Sequence, residues 1–213
     1  YRESGIANPE QAQLPDETEL VLAAGHVDIH RMILDPVRKT VYLEDPKMSL
    51  DVGAVAKGFT AQKLCDELRT AGVTSALVSI GGNVQAIGVR GDGAPWRVGI
   101  QNPDLTSSQG YLYAMNLQDV ALVTSGDYQR YYMVDGERYH HIIRPDTWMP
   151  WREYVSVTIL CRDGMQADAL STAVFNMEFE EGLALVESLE DTEALWIFPD
   201  GEERFSPGFK QYM

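Results

Sequence analysis

The amino-acid sequence predicts an α+β fold of largely antiparallel sheets with packed helices. Two observations carry that expectation. Strand-like runs follow one another with little but turn residues between them, and the helical patterns are grouped rather than alternating with single strands. The apolar runs are also short, Ala76 to Ile80 being typical, so none can cross a bilayer.

Residues 1–15 are polar and rich in Gly, Pro and Gln, and read as a loop or arm. Residues 16–26 predict a helix, with acidic residues in the first turn and Leu20, Val21 and Ala24 on one face. Strands follow at 31–34 and 40–44 around an Asp35-Pro36 turn. A helix over 59–70 ends at Gly72, which is placed to cap it. Strands are predicted at 76–80, 84–89, 96–100, 111–117 and 120–124. A hairpin over 131–134 and 138–143 turns at Asp135-Gly136. A strand at 154–160, helices over 166–177 and 180–189 and a strand at 194–198 complete the pattern. With no internal repeat and no low-complexity stretch, residues 1–213 read as one domain.

Composition narrows the function classes. The formal charge of −15 is concentrated between Glu178 and Arg204, where Arg204 is the lone basic residue. A field of that sign repels nucleic acid and anionic lipid. A phosphate ligand would therefore need a local cation. Cys65 and Cys161 are the two cysteines, without metal-type partners nearby in sequence, and read as packed, reduced thiols. Tyr1 opens no signal-peptide pattern, and the abrupt start reads as that of a trimmed piece.

Five clusters could carry chemistry. In Asp51-x-Gly-x-x-Ala-Lys57-Gly58, the glycines allow backbone to approach a ligand, the following helix start favours an anion, and Lys57 supplies the cation. The spacing is not that of a P-loop, and a plain glycine-rich turn into a helix reads equally from it. Asp168 and Thr172 are four apart, so on a helix they share a face and can offer a carboxylate and a hydroxyl to a hard cation such as Mg²⁺. The competing reading is an acid near a helix start and a packed threonine. Tyr139-His140-His141-Ile142-Ile143 lies on the second hairpin strand, where neighbours point to opposite faces, so the two histidines cannot form a two-His metal site. Thr124-Ser-Gly-Asp127 reads as a polar turn that contacts a ligand or reverses the chain. Gly81-Gly82-Asn83 ends a buried strand, a common place for a site.

The order of these motifs, with Trp96-Arg-Val-Gly-Ile between them, resembles the ApbE-like FAD:protein FMN transferases over residues 15–201. The resemblance implies an ApbE-like, T-fold-like architecture and Mg²⁺-dependent cleavage of FAD. FMN is then linked to a Thr or Ser hydroxyl of a target flavoprotein subunit in a membrane redox complex, and AMP is released. It also implies an extracytoplasmic protein anchored through a lipoprotein segment ahead of Tyr1, with no nucleic-acid partner and no membrane-spanning segment in this chain. Carried over by position, the Ala54 carbonyl, the Asp168 carboxylate and the Thr172 hydroxyl would hold the metal. Asp51 and Lys57 would contact FAD, and His141 and Ile143 would lie beside the flavin. No catalytic base is assigned.

Three departures accompany the resemblance. Asn83 stands where the family usually has Asp, and Arg144 and Trp148 replace the Asp and Gly of the turn after His141. The family's N-terminal portion, which packs on the flavin and adenine, is not in this sequence. These keep two alternatives open: hydrolysis of FAD to FMN and AMP, and a flavin-binding protein without turnover.

Overall fold

Short strands joined by tight turns are stable only when each edge finds a partner, and antiparallel pairing supplies those partners here. A computed structural model describes residues 5–213. In chain order the elements are α1 (Glu17–Ala24), β1 (Met32–Asp35), β2 (Thr40–Leu43), α2 (Ala56–Thr70), β3 (Ala76–Ile80), β4 (Asn83–Ile87), β5 (Trp96–Gln101), β6 (Tyr111–Leu117), β7 (Ala121–Gly126), β8 (Tyr131–Val134), β9 (Glu137–His140), β10 (Ser156–Cys161), α3 (Gly164–Phe175), α4 (Phe179–Glu187), β11 (Glu193–Ile197) and β12 (Glu203–Phe205). They form two compact units: the described part of Tyr1–Val52 with Arg130–Pro150, and Gly53–Gln129 with Trp151–Met213. No helix among the described residues is long and apolar enough to cross a membrane.

The larger unit is organised by one six-stranded sheet in the order β12-β11-β10-β7-β4-β3, every neighbouring pair antiparallel. The hairpin β5–β6 packs on one face through Ile100, Met115 and Leu117, which share a core with Leu122, Leu160, Leu195 and Phe209. On the other face α3 lies against β7 and β10, and α2 against β3 and β4. Because both faces are covered, every residue of β10 is buried.

The helix boundaries follow their capping chemistry. Asp163 accepts hydrogen bonds from the N–H groups of Met165 and Gln166 and so starts α3 two residues before the predicted position. At the end of α2, Gly72 sits at φ +87°, Val73 N–H donates to Leu68 O at 2.9 Å and Gly72 N–H to Arg69 O at 3.0 Å. That pair of bonds is the glycine-closed helix end that Gly72 predicts. Helix α2 begins at Ala56 rather than Phe59. Gly58 belongs to its first turn, because a Cβ there would lie 2.2 Å from Gly164 O and 2.5 Å from Asp168 Cβ. Cys65 and Cys161 are free and buried, as the sequence suggests.

In the smaller unit Asp16 caps α1 through Thr18 N–H at 2.8 Å, but no residue of α1 is buried, and Val21 is exposed rather than on a packed face. The predicted arm begins outside the described residues and contains the 3₁₀ turn Pro9–Gln11. The hairpins β1–β2 and β8–β9 form as predicted, except that β9 stops at His140 instead of Ile143. Asp135 and Gly136 take φ of +51° and +82°, the left-handed pair of a tight two-residue hairpin turn. Buried Asp45 gathers His26 Nδ1 at 2.7 Å, Arg31 Nη1 at 3.1 Å and the Lys47 N–H at 2.8 Å.

Two predictions follow from this packing. Gly58→Ala forces α2 and α3 apart and should lower stability by about 1–3 kcal/mol, read as a lower urea midpoint. An unchanged midpoint would mean that the helices do not meet at Gly58. The hydrogen bond to His26, then the Lys47 N–H and the Arg31 charge, hold the Asp45 carboxyl below its ordinary value of 3.8. Its contribution to stability is therefore complete above that pH and is lost as pH falls through and below it. Asp45→Asn should flatten the acid limb of the stability curve, and an acid limb identical to that of the parent protein contradicts this.

Candidate functional site

The first N–H groups of a helix have no partner within it, and α2 has no side-chain cap of its own at Val55. The missing acceptor comes from far along the chain. Gly58 N–H, at the third helical position, donates to Asp168 Oδ2 at 2.7 Å. A carboxylate is favoured at the positive end of a helix, and Asp168 is almost wholly buried, at 2% exposure. The anion at this helix start is thus a side chain of α3.

Lys57 lies beside it. Its Nζ is 3.7 Å from Asp168 Oδ1 and donates to Asn83 Oδ1 at 3.2 Å. Asn83 is buried, and its Nδ2 has no hydrogen-bond partner among the described residues. Turning the amide round would set two donors against each other, so the contact with Lys57 fixes the orientation that leaves Nδ2 alone. Next to Asn83, Gly81 and Gly82 adopt φ of +56° and +94°. A Cβ on Gly82 would meet nothing within 4 Å, and one on Gly81 would meet only the Lys57 side chain. The loop is therefore open on that side.

One turn along α3, the half-buried Thr172 Oγ1 lies 3.2 Å from Ser125 Oγ, which lies 2.8 Å from Ser171 Oγ. Ser171 also donates to the Asp168 carbonyl at 2.9 Å. Asp168 and Thr172 do fall within one helix, as the spacing predicts. The polar turn expected at Thr124-Ser-Gly-Asp127 is instead the end of β7, which continues through Gly126, so Ser125 points its hydroxyl at α3 from a strand. Ala54 is exposed, in the turn that leads into α2. All oxygen donors here are hard, and among the described residues no group of three or more His, Cys, Asp or Glu could hold a metal.

A supporting network sets the position of α3. Gly164 N–H and Gln85 Nε2 both donate to Gln62 Oε1, at 2.9 and 2.6 Å, which ties the start of α3 to α2 and β4. A Cβ on Gly164 would lie 2.5 Å from Gln85 Oε1. Gln62, Gln85 and Gly164 were not among the sequence candidates. Glutamines and glycines carry no chemical signature, whereas Ser125 lies within the Thr124-Ser-Gly-Asp127 motif already singled out.

Three sequence candidates lie in the smaller unit. Asp51 is exposed, just before α2. His141 and Ile143 are not strand residues, since β9 ends at His140. The exposed His141 has Nδ1 3.2 Å from Arg130 O, whereas His140 is buried and accepts from Ile142 N–H, so the two histidines have different surroundings although only His140 is on the strand. Ile143 is half-buried and bridges to Pro150. Between them the chain is closed by Trp148 N–H to Arg144 O at 2.9 Å and Arg144 N–H to Met149 O at 3.0 Å. Trp148 takes φ +58°, a conformation that a glycine adopts without strain.

Comparison with known proteins places the chain in a family. The model of the ApbE family matches residues 3–196. The FAD:protein FMN transferase of Treponema pallidum is 38% identical, over 93% of this chain and 59% of that protein. The one from Klebsiella pneumoniae is 33% identical, over 86% and 56%. The crystal structure of the ApbE protein from Thermotoga maritima aligns with a TM-score of 0.85 at 30% identity, covering 96% of this chain and 66% of that one. The flavin transferase ApbE from Vibrio cholerae gives 0.80 at 31%, covering 95% and 66%. The chain thus spans between half and two thirds of these relatives. On sequence and structure together, this chain belongs to the ApbE family.

Proposed function

We propose that the protein transfers the FMN half of FAD to a Thr or Ser hydroxyl of a target flavoprotein, with help from Mg²⁺. The observation that carries this reading is the meeting of Lys57, Gly58 and Asp168 at the start of α2, beside an open two-glycine loop. A cation, a helix start and a buried carboxylate together suit a phosphate ligand with a hard metal.

The donor set fits Mg²⁺. It offers one carboxylate, the Thr172 hydroxyl and, by resemblance, the Ala54 carbonyl, which leaves coordination positions for phosphate oxygens. A divalent ion held there neutralises charge on the phosphates. Lys57 would bind a pyrophosphate oxygen, and the Gly58 N–H would keep Asp168 oriented. In the transfer, the target hydroxyl oxygen bonds to the FMN phosphorus. The bond from that phosphorus to the bridging oxygen breaks, AMP leaves with the bridging oxygen, and the hydroxyl proton is released. Asp51, His141 and Ile143 are proposed as flavin contacts on the resemblance alone. A membrane redox subunit as target, and a location outside the cytoplasm, rest on the same ground.

The full-length protein should convert FAD, Mg²⁺ and a target domain into AMP and a target heavier by one FMN moiety, read by intact mass. AMP and free FMN with an unmodified target would make the protein a hydrolase, and no AMP would make it a flavin binder. Lys57→Met should weaken FAD by tenfold or more while changing riboflavin little, since only FAD presents phosphates to a charge-assisted contact worth about 1.5–3 kcal/mol. Equal losses for both ligands would assign Lys57 a purely structural role.

A further inference from the structure

The two oxygens of Asp168 are not equivalent. Oδ2 is held by the Gly58 N–H at 2.7 Å, a bond fixed by the packing of α2 on α3. Oδ1 faces the Lys57 ammonium at 3.7 Å. The carboxylate side chain is 3% exposed, whereas that of Lys57 is 42% exposed. One partner is locked in place and the other is a flexible stem reaching in from solvent. The second contact of Lys57, Asn83 Oδ1 at 3.2 Å, is a neutral amide that aligns the ammonium without neutralising it. The stem passes Gly81, where a Cβ would lie 3.1 Å from Lys57 Cδ, so it runs alongside the open glycine loop.

A divalent ion bound at Oδ1 would meet this ammonium as a like charge at short range, and of the two groups beside the carboxylate oxygen only the lysine can swing away. We propose that Lys57 is a resident counter-cation of Asp168 that a divalent metal displaces, and that the displaced ammonium turns to the ligand's phosphates. Metal and nucleotide then bind with positive coupling carried by one side chain, and the coupling is reciprocal. This inference rests on the reading of Asp168 as a metal ligand.

The probe is Mn²⁺, with free ion measured by electron paramagnetic resonance in the absence of flavin, on the parent protein, Lys57→Met, Lys57→Arg and Asp168→Asn. Lys57→Met should bind Mn²⁺ about two- to fivefold more tightly than the parent, the scale of a partly exposed charge pair. Lys57→Arg, which keeps the charge, should stay near the parent value. In FAD titrations with and without Mn²⁺, the gain in FAD affinity that the metal gives the parent should be largely lost in Lys57→Met. Binding that depends on Asp168 but is equally tight, or weaker, in Lys57→Met would overturn the counter-cation role and leave the metal reading standing. Binding that survives in Asp168→Asn, or is absent from every protein, would overturn the metal reading and the displacement with it.

Discussion

The close approach of α2 and α3 is the constraint on which the rest of the site depends. Gly58 lacks the side chain that would hold the helices apart, and the gap left against Gly164 O and Asp168 Cβ is too small for even one methyl group. That approach lets a carboxylate on α3 accept an N–H from the first turn of α2, across 110 positions of sequence. Once Asp168 is committed there, Lys57, on the same turn of α2, falls beside its other oxygen. Asn83, at the start of β4, meets the lysine from the sheet. Packing, capping and charge are one arrangement here, and an added methyl at Gly58 disturbs all three.

The sheet explains why the arrangement is rigid. Strand β10 is buried along its whole length, with β7 on one side and β11 on the other, and α3 lies on β7 and β10. The Ser125, Ser171 and Thr172 hydroxyls satisfy one another at that junction, which suits the cost of leaving buried polar groups unpaired. Among the described residues of the site, Asn83 Nδ2 and Gln85 Oε1 are buried without a partner, the first because the oxygen of its amide is committed to Lys57.

Much of this was legible beforehand. Apolar alternation, Gly72 and the Asp135-Gly136 turn located strands and helix ends, because those signals act over a few residues. The i,i+4 relation of Asp168 and Thr172 was readable for the same reason. What could not be read was long-range. Gly58 looked like a loop glycine, and only the position of Gly164 shows why a helix needs it. Short β12 lies within an acidic stretch whose charge masks its pairing with β11. The second hairpin strand was expected to run through Ile143 and so to include His141, but the hairpin ladder ends at the Tyr131–His140 pair and the chain then turns. At Trp148 the left-handed backbone persists although a bulky residue occupies it, so the fold, not the residue, sets that turn.

The account's central claim is that the carboxylate fixed by Gly58 is the anchor for a divalent ion next to the nucleotide phosphates. Crystals of the full-length protein grown with FAD and Mn²⁺, with anomalous scattering collected for manganese, test it most directly. The account predicts an anomalous peak bonded to Asp168 Oδ1 and Thr172 Oγ1, with Lys57 turned to a phosphate oxygen and Gly58 N–H still on Oδ2. A peak bonded to other residues, with Lys57 still paired to Asp168, would contradict it.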